Sequence, residues 1–183
     1  DSVVVNGSLV IVFFLRVRRP PRSRLFHYTT RFRALCCVRS GKVLVNGKVL
    51  KKGTVIKQGD TIETKAKSKV RFNVGKDAFK ARANTKFRLE KIGKTRVLNV
   101  VNGSVMAVFG KGKHAIATPN MTAGIKGTGT FTQVVDGKTY FCTCYGHTSV
   151  DAHNKITDLK ATYHKMIWIT PTKVKPTMDM QEL

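Results

Sequence analysis

The hydrophobic residues from position 41 onward alternate with polar residues inside short runs. The run Val70–Val74 places Val70, Phe72 and Val74 on one face, and the run Phe87–Lys91 alternates in the same way. Successive side chains of a strand point to opposite faces, so each run predicts a strand with one buried side. No segment has a sustained helical period with capping residues at its ends. The pattern predicts an all-β body.

Glycine-containing turns separate the alternating runs. Asn46-Gly47 lies between two apolar pairs, and Asn-Gly tolerates positive φ at both central positions of a two-residue turn, so we expect a hairpin or a tight β corner. A second Asn-Gly, at 102–103, follows Val97–Val101, and we expect Ser104–Phe109 to be the partner strand. Short strands with such turns indicate a short-strand β-sandwich or a solenoid-like wrap.

The distribution of basic residues divides the chain into segments. The protein has 183 residues, enough for one domain with a tail. Before Gly41 there are eight Arg and no Lys, and from Gly41 onward there are 22 Lys and four Arg. This change predicts an Arg-rich arm over residues 1–40 and a β domain over residues 41–165. Residues 166–183, which contain Pro171 and Pro176, are expected to be an extended tail.

The arm combines an apolar run with arginines. Val3–Leu15 is shorter than the roughly 20 apolar residues that span a bilayer, so it suits a strand, or the end of a targeting segment that associates with a membrane. Residues 22–39 contain no acidic residue. They fit a basic arm that docks on an anionic partner, an organelle-type presequence, or sequence without a role in the fold. The interaction residues expected here are Arg16, Arg18, Arg19, Arg22, Arg24, Arg31 and Arg33.

The net charge of +24 predicts anionic partners. Acidic proteins, acidic envelope polymers and nucleic acid all fit, and charge alone does not choose among them. Aromatic residues interleaved with arginine in the arm would allow stacking on bases, which supports the nucleic-acid alternative. The open ends of a strand stack also favour self-assembly.

A glycine-rich segment, Gly124–Thr130, contains Lys126 and several threonines. A phosphate-binding loop would need Gly-Lys-Ser/Thr at the start of a helix, whereas here Lys126 precedes Gly127 and a strand follows. A structural role for these glycines is therefore favoured over phosphate binding. Gly124, Gly127 and Gly129, with Thr128, are expected to form a tight corner of the backbone.

Cys142 and Cys144 lie two residues apart in a predicted strand, so their sulfurs share a face. With His147, and with His153 and His164 further along, they suggest a Cys/Cys/His metal cluster, for which Cys142, Cys144 and His147 are the candidate ligands. Known zinc patterns place cysteines further apart, at knuckles. The alternative is that both cysteines are small apolar residues on an inner face. No cofactor is expected.

Disulfide pairing stays open. A bridge between Cys142 and Cys144 would be strained because their Cβ vectors run parallel. Cys36 and Cys37 are adjacent and do not share a face in an extended chain. Four cysteines allow two bridges in an oxidising compartment, and the sequence does not pair them.

Thr118-Pro119, Ala123–Thr128 and Phe131 form a pattern in which a strand ends in Thr-Pro and a basic residue followed by Gly-Thr starts the next strand. These motifs resemble the signature of the FecR domain, an all-β module of bacterial envelope proteins. Val45–Thr64 and Leu98–Val108 are similar to earlier elements of the domain. The resemblance covers roughly residues 41–151, and it assigns Pro119, Gly124, Gly127, Thr128 and Gly129 a structural role.

The resemblance implies a protein of the periplasm or cell surface of a bacterium. FecR domains occur in membrane-anchored sigma regulators of iron-transport signalling, which receive a signal by protein contact, and in standalone envelope proteins. This sequence shows no cytoplasmic helical region and no complete membrane span, so we expect a standalone scaffold or assembly subunit. No catalytic constellation or small-molecule substrate is evident, since Asp60, Asp136 and Asp151 lie where turns favour them.

Overall fold

The computed structural model describes residues 3–5, 8–10, 34–51 and 54–177, and the chain divides into two compact units, Asp1–Thr30 and Arg31–Leu183. In the first unit, β1 (Val3–Val5) pairs with β2 (Ser8–Val10) in antiparallel orientation. Among the described residues, no helix is both long enough and apolar enough to cross a membrane. The arginines predicted to form an interaction site, Arg16 to Arg33, lie outside the described residues.

The second unit contains one mixed sheet of 15 strands, which confirms the all-β prediction. The strands are β3 (Ala34–Ser40), β4 (Val43–Val45), β5 (Lys48–Val49), β6 (Val55–Ile56), β7 (Thr61–Thr64), β8 (Lys69–Val74), β9 (Asp77–Ala81), β10 (Lys86–Ile92), β11 (Thr95–Val108), β12 (His114–Thr118), β13 (Met121–Val135), β14 (Lys138–Ala152), β15 (Lys155–Ala161), β16 (Lys165–Ile169) and β17 (Val174–Thr177).

The sheet folds over into two layers because three long strands bend and contribute to both. In the first layer the order is β6, β3, β8, β9, the second half of β11, the second half of β13, the first half of β14, β16 and β17. In the second layer it is β5, β4, β7, β10, the first half of β11, β12, the first half of β13, the second half of β14 and β15. Neighbours are antiparallel except β11 and β12, which are parallel.

One hydrophobic core fills the space between the layers. Phe72 of β8 stacks on Phe87 of β10 with ring centroids 5.8 Å apart, although these strands are not hydrogen-bonded neighbours. Residues of β8 alternate between exposed and buried along the whole strand, as the sequence predicts. Burial of the aromatic and aliphatic side chains on the inner faces is the main stabilising contribution.

Glycines mark the points at which the long strands bend. Gly103 in β11, Gly127 in β13 and Gly146 in β14 all have positive φ, and Gly127 lies in a register shift between Lys126 and Gly129. Gly127 lies in a bulge within the continuous strand β13, where the sequence predicted a tight corner between two strands. Gly124 differs from the prediction because it lies in regular pairing between Ala115 and Ser149.

The two Asn-Gly dipeptides behave differently. Asn46 and Gly47 both have positive φ and connect β4 to β5, so the predicted hairpin is confirmed. Asn102-Gly103 lies inside β11, and the prediction of a hairpin there is wrong. The chain before it pairs with β10, whereas the chain after it pairs with β9 and β13.

The sheet includes residues on both sides of the segment 41–165. On the amino-terminal side, β3 pairs with β6 and β8. On the carboxyl-terminal side, β16 pairs with β14, and its Ile167 and Ile169 belong to the core. Pro119 and Asn120 form the turn between β12 and β13, which agrees with the predicted turn after Thr118-Pro119.

Candidate functional site

The outward side of the first layer carries a row of large side chains across the sheet. The pairing register places Lys80, Met106, Phe131, Cys142 and Met166 side by side on five neighbouring strands. Alternation puts these residues on the side opposite the core. We call the five residues Met106, Phe131, Tyr140, Met166 and Trp168 the outer aromatic face.

Ring contacts join the members of the outer aromatic face. Tyr140 lies edge-on to Phe131 at a centroid distance of 6.0 Å and to Trp168 at 5.1 Å. The Tyr140 hydroxyl donates a hydrogen bond to the Met166 sulfur at 2.7 Å. Edge-to-face pairs hold aromatic rings in fixed positions. The face is therefore a preformed apolar surface, and Met106 at its margin is 41% exposed.

Exposed basic residues border this face. Arg71 and Lys80 pair across β8 and β9, and the Arg82 guanidinium lies 5.2 Å above the Phe131 ring. On the other side, Lys175 pairs with Trp168, and Lys138 lies at the start of β14. The outward-facing residues of the described first-layer strands include no Asp or Glu, and the exposed Asp136 lies in the turn between β13 and β14. The face therefore combines apolar rings with positive charge.

A cluster of soft metal ligands lies at the edge of the outer aromatic face. The Cys142 sulfur is 4.0 Å from the Cys144 sulfur and 3.4 Å from Nδ1 of His164. All three donor atoms lie within 4.8 Å of one another. Both cysteines are free thiols. Cys142 is buried, Cys144 is half-buried and His164 is exposed, so the cluster is accessible from one side.

The neighbours of Cys142 show that the two sulfurs face away from the core. Phe141 belongs to the core, and the Thr143 hydroxyl meets that of Thr148 at 2.6 Å on the inner side. The sequence correctly predicts that Cys142 and Cys144 share a face. The alternative, that they are apolar residues on an inner face, agrees with the burial of Cys142 but not with the face, which is the one opposite Phe141.

The third member of the cluster differs from the prediction. His147, expected as the third ligand, follows the bend at Gly146, and its Nε2 lies 3.3 Å from an oxygen of Asp158. His164 takes this place because β16 pairs with β14. Lys165 lies opposite Thr143, so the preceding residue, His164, comes opposite Cys144. The sequence names His164 as a downstream histidine but does not indicate this pairing.

Mutual contacts change the acidity of the two thiols. The hydrogen bond with Cys142 and the nearby imidazole of His164 lower the pKa of Cys144 to about 6. The same hydrogen bond, together with burial, raises the pKa of Cys142 well above its ordinary value. Burial, and then the two cysteines, raise the pKa of Tyr140. A thiolate at Cys144 is therefore available near neutral pH, and the thiolate is the form that binds metals.

A second polar cluster is buried between β9, β11 and β12. The carboxylate of Asp77 pairs with Arg96 at 2.5 Å and accepts a hydrogen bond from the backbone N–H of Gly110 at 2.9 Å. His114 is also buried, and neither of its ring nitrogens hydrogen-bonds to a described residue. Its Nδ1 lies 3.6 Å from Asp77, which is too long for a good hydrogen bond. Phe109 contacts its ring, whereas the Arg96 side chain of the same cluster is 40% exposed.

His114 makes stability depend on pH. Burial lowers the pKa of His114 below its ordinary value of 6.5. The folded protein therefore binds a proton at His114 less readily than the unfolded chain, whose histidine is protonated below about pH 6.5. The free energy of unfolding should therefore fall as the pH drops from about 7.5 to about 5.5. The His114→Leu variant should lack part of this slope, by up to about 1.4 kcal/mol per pH unit. Thermal unfolding across this pH range measures it.

The matched control for this prediction is His153→Gln. His153 is exposed and its Nε2 hydrogen-bonds to the carbonyl of Thr170. A specific role of His114 requires that His114→Leu loses more of the slope than His153→Gln. Equal slopes for wild type and His114→Leu would show that His114 is protonated equally in the folded and unfolded states.

Comparison with known proteins adds information about the fold. Two crystal structures of a candidate anti-sigma factor from Parabacteroides distasonis ATCC 8503, at 1.65 Å and 2.50 Å resolution, match the chain with a TM-score of 0.58 and 12% sequence identity. Each match covers 65% of this chain and 59% of the length of the neighbour. At this identity the likeness shows a shared fold.

No protein-family model matches the sequence, and no curated protein sequence matches it either. The FecR resemblance therefore depends on the motifs from Val45 to Phe131. The shared fold with a candidate anti-sigma factor is compatible with it.

Proposed function

We propose that the chain is a non-enzymatic, FecR-like β domain of the bacterial cell envelope that binds an acidic segment of another protein. The observation that carries this proposal is the outer aromatic face with its basic border. The fold likeness to a candidate anti-sigma factor supports a role in protein contact, and the motifs resembling FecR support the envelope location.

The composition of the face favours a protein partner. Trp, Tyr and Arg are the residues that most often dominate binding energy at interfaces, and Met and Phe are enriched there too. Trp168 and Tyr140 are half-buried and fixed by ring contacts, so little side-chain entropy is lost when a partner covers them. Arg82, held over Phe131, presents a charge next to the apolar surface.

The positive charges around the outer aromatic face indicate that the partner segment is acidic. Arg71, Lys80 and Arg82 border one side of the face, and Lys138 and Lys175 border the other. A segment with acidic residues flanking an apolar or aromatic residue would match this arrangement. The protein's net charge of +24 would also steer such a segment toward it.

Two carboxylates of the second unit have structural partners, which fits a non-enzymatic role. Asp60 accepts hydrogen bonds from the Asn46 side chain and the Lys57 backbone, which closes the turn before β7. Asp77 is bound by Arg96 and the backbone of Gly110. Such carboxylates stabilise turns and the core and are not poised to act as an acid or base.

Two other functions stay predictions. Nucleic-acid binding through the Arg-rich arm concerns residues outside the described part of the chain. Self-assembly would use open sheet edges, of which β17 is one among the described strands. That strand carries Lys175 and Pro176, and both residue types oppose the addition of a further strand.

The test uses Trp168, the only tryptophan of the chain, as a fluorescent reporter within the face. A random copolymer of glutamate and tyrosine serves as the probe, compared with heparin and duplex DNA at several salt concentrations. We expect the copolymer to change Trp168 emission and to bind more tightly than either of the other polyanions. The variant Met106→Glu should weaken binding about tenfold or more, since it places a negative charge within an apolar contact.

The matched control is Ile156→Glu. Ile156 is 69% exposed on β15 of the second layer, and its replacement changes the net charge by the same amount. It should alter the affinity by no more than about twofold, as expected for long-range electrostatics alone. Equal losses for the two variants would contradict the proposed face. Tighter binding to DNA with a steep salt dependence would favour nucleic-acid binding instead.

A further inference from the structure

Cys142, Cys144 and His164 bring three soft donor atoms together on one side of the first layer. The sulfurs are 4.0 Å apart, and the Cys142 sulfur is 3.4 Å from Nδ1 of His164. Within the part of the chain that the structure describes, this is the group of His, Cys, Asp and Glu residues whose donor atoms converge closely enough to share an ion.

These separations match the edges of a metal coordination sphere. With Zn–S bonds near 2.3 Å and Zn–N bonds near 2.0–2.1 Å, tetrahedral geometry separates two sulfurs by about 3.8 Å and a sulfur from a nitrogen by about 3.5 Å. The observed 4.0 Å and 3.4 Å differ from these values by only a few tenths of an ångström. The third pair, the Cys144 sulfur and the His164 ring nitrogen, lies within 4.8 Å, so an ion would draw these two donors together by at most about 1.3 Å.

Hydrogen-bonded strands hold Cys142 in place, and Cys144 and His164 each lie directly next to a paired residue. Cys142 and Cys144 lie on the same side of β14, which is paired on both sides, with β13 and β16. Lys165, which follows His164, pairs with Thr143, so the position of His164 is set by the register of β16. Ligands on rigid elements reduce the entropy lost on metal binding.

Neither a disulfide nor core packing accounts for the placement of Cys142 and Cys144. Both thiols are free. A disulfide would bring the two sulfurs to about 2.05 Å from each other, although the two Cα–Cβ bonds point in parallel directions. Both side chains lie on the side of β14 opposite Phe141 and apart from the central core cluster, although Cys142 is itself only 4% exposed. Their position beside His164 therefore calls for a different explanation.

We propose that Cys142, Cys144 and His164 form a binding site for a thiophilic metal ion with a filled d shell, with Zn²⁺ or Cu⁺ as the chemically matching ions. Two thiolates and an imidazole are the donor set that such ions prefer over Mg²⁺ or Ca²⁺. Three protein ligands leave one position of a tetrahedral ion for an exogenous ligand. The exposure of His164 places that position toward solvent.

The site adjoins the outer aromatic face, but its test does not depend on the proposed protein-binding function. Full-length protein is purified under reducing conditions, treated with a chelator, and titrated with Co²⁺ as a spectroscopic substitute for Zn²⁺. We expect thiolate-to-cobalt charge-transfer absorption in the near ultraviolet and visible bands of tetrahedral cobalt at one equivalent. Competition with a chromophoric chelator then gives the affinities for Zn²⁺ and Cu⁺ and distinguishes the two ions.

Single-ligand variants test the named residues. Cys142→Ser, Cys144→Ser and His164→Ala should each weaken Zn²⁺ or Cu⁺ binding at least tenfold, and each cysteine variant should reduce the charge-transfer absorption. The matched control is His147→Ala, since His147 lies on the same strand but is paired with Asp158. It should bind the metal within about twofold of wild type, because it contributes no ligand.

A fold control keeps the result interpretable. Circular dichroism and the melting temperature of each metal-free variant report folding, and Cys144→Ser should remain folded because Cys144 is only half-buried. Bound metal should raise the melting temperature of wild type but not of Cys144→Ser. The proposal is overturned if wild type binds neither ion more tightly than folded Cys144→Ser, or if His147→Ala loses as much affinity as His164→Ala.

Discussion

Replacing Phe72 by alanine should lower the free energy of unfolding by about 3–5 kcal/mol, the range for a large aromatic side chain in a core. Phe72 is fully buried. Its ring stacks on Phe79 of the same layer at 5.1 Å and on Phe87 of the opposite layer at 5.8 Å. Alanine would leave a cavity between the layers that the paired strands cannot close. Urea denaturation followed by circular dichroism measures the change.

The comparison variants for this prediction differ in exposure and in volume. Tyr163→Ala removes an aromatic side chain that is 83% exposed, and its effect should stay within about 0.5 kcal/mol. Phe72→Leu retains most of the volume and should cost less than Phe72→Ala. Similar stabilities for Phe72→Ala and Tyr163→Ala would mean that the two layers do not pack through Phe72.

Gly103→Ala should destabilise the protein by about 2–4 kcal/mol, because it combines backbone strain with overpacking. Gly103 has φ of +86°, a conformation that residues with a Cβ atom adopt at a cost. An added Cβ would also lie 2.6 Å from the carbonyl oxygen of Asn84 and closer still to Thr85. The contacts include backbone atoms of the turn before β10, which cannot rotate away as a side chain could.

Gly137→Ala separates the two contributions. Gly137 also has positive φ, +68°, in the turn between β13 and β14, but an added Cβ there meets no atom within 4 Å. Its cost should be about 1 kcal/mol, from the backbone conformation alone. If Gly103→Ala is no more destabilising than Gly137→Ala, then the bend of β11 does not pack tightly against Thr85. Thermal and urea unfolding of both variants provide the comparison.

The alternation of apolar and polar residues predicted the strands correctly because, in each short run, every second residue is apolar and is buried in the folded protein. The inward residues of β8, Val70, Phe72 and Val74, are all buried. The hairpin at Asn46-Gly47 followed from the positive φ that the dipeptide tolerates. The same dipeptide at 102–103 gave a wrong prediction. The positive φ that Asn-Gly favours occurs both in a hairpin turn and in a bend within a strand. Here the residues after Gly103 pair with β9 and β13, so the strand continues through a bend.

The candidate sites were also predicted in part from local sequence and in part only from the tertiary structure. A period of two was enough to place Cys142 and Cys144 on one face of β14. The histidine that joins them was not predictable, because His147 is nearer in sequence whereas His164 is nearer in space. The outer aromatic face was also missed. Its members lie on strands far apart in the chain, and each alone has the pattern of an ordinary strand residue.

The sequence by itself determined the class of fold, the positions of most strands and turns, and which side chains share a strand face. These are short-range properties, set by the alternation of side chains and by the φ angles that Asn and Gly allow. Tertiary structure alone decided which strands bend into both layers, which histidine meets the two sulfurs and where apolar rings collect beside basic residues. Those outcomes depend on hydrogen-bond register between strands distant in the chain, and no local window of sequence contains that register.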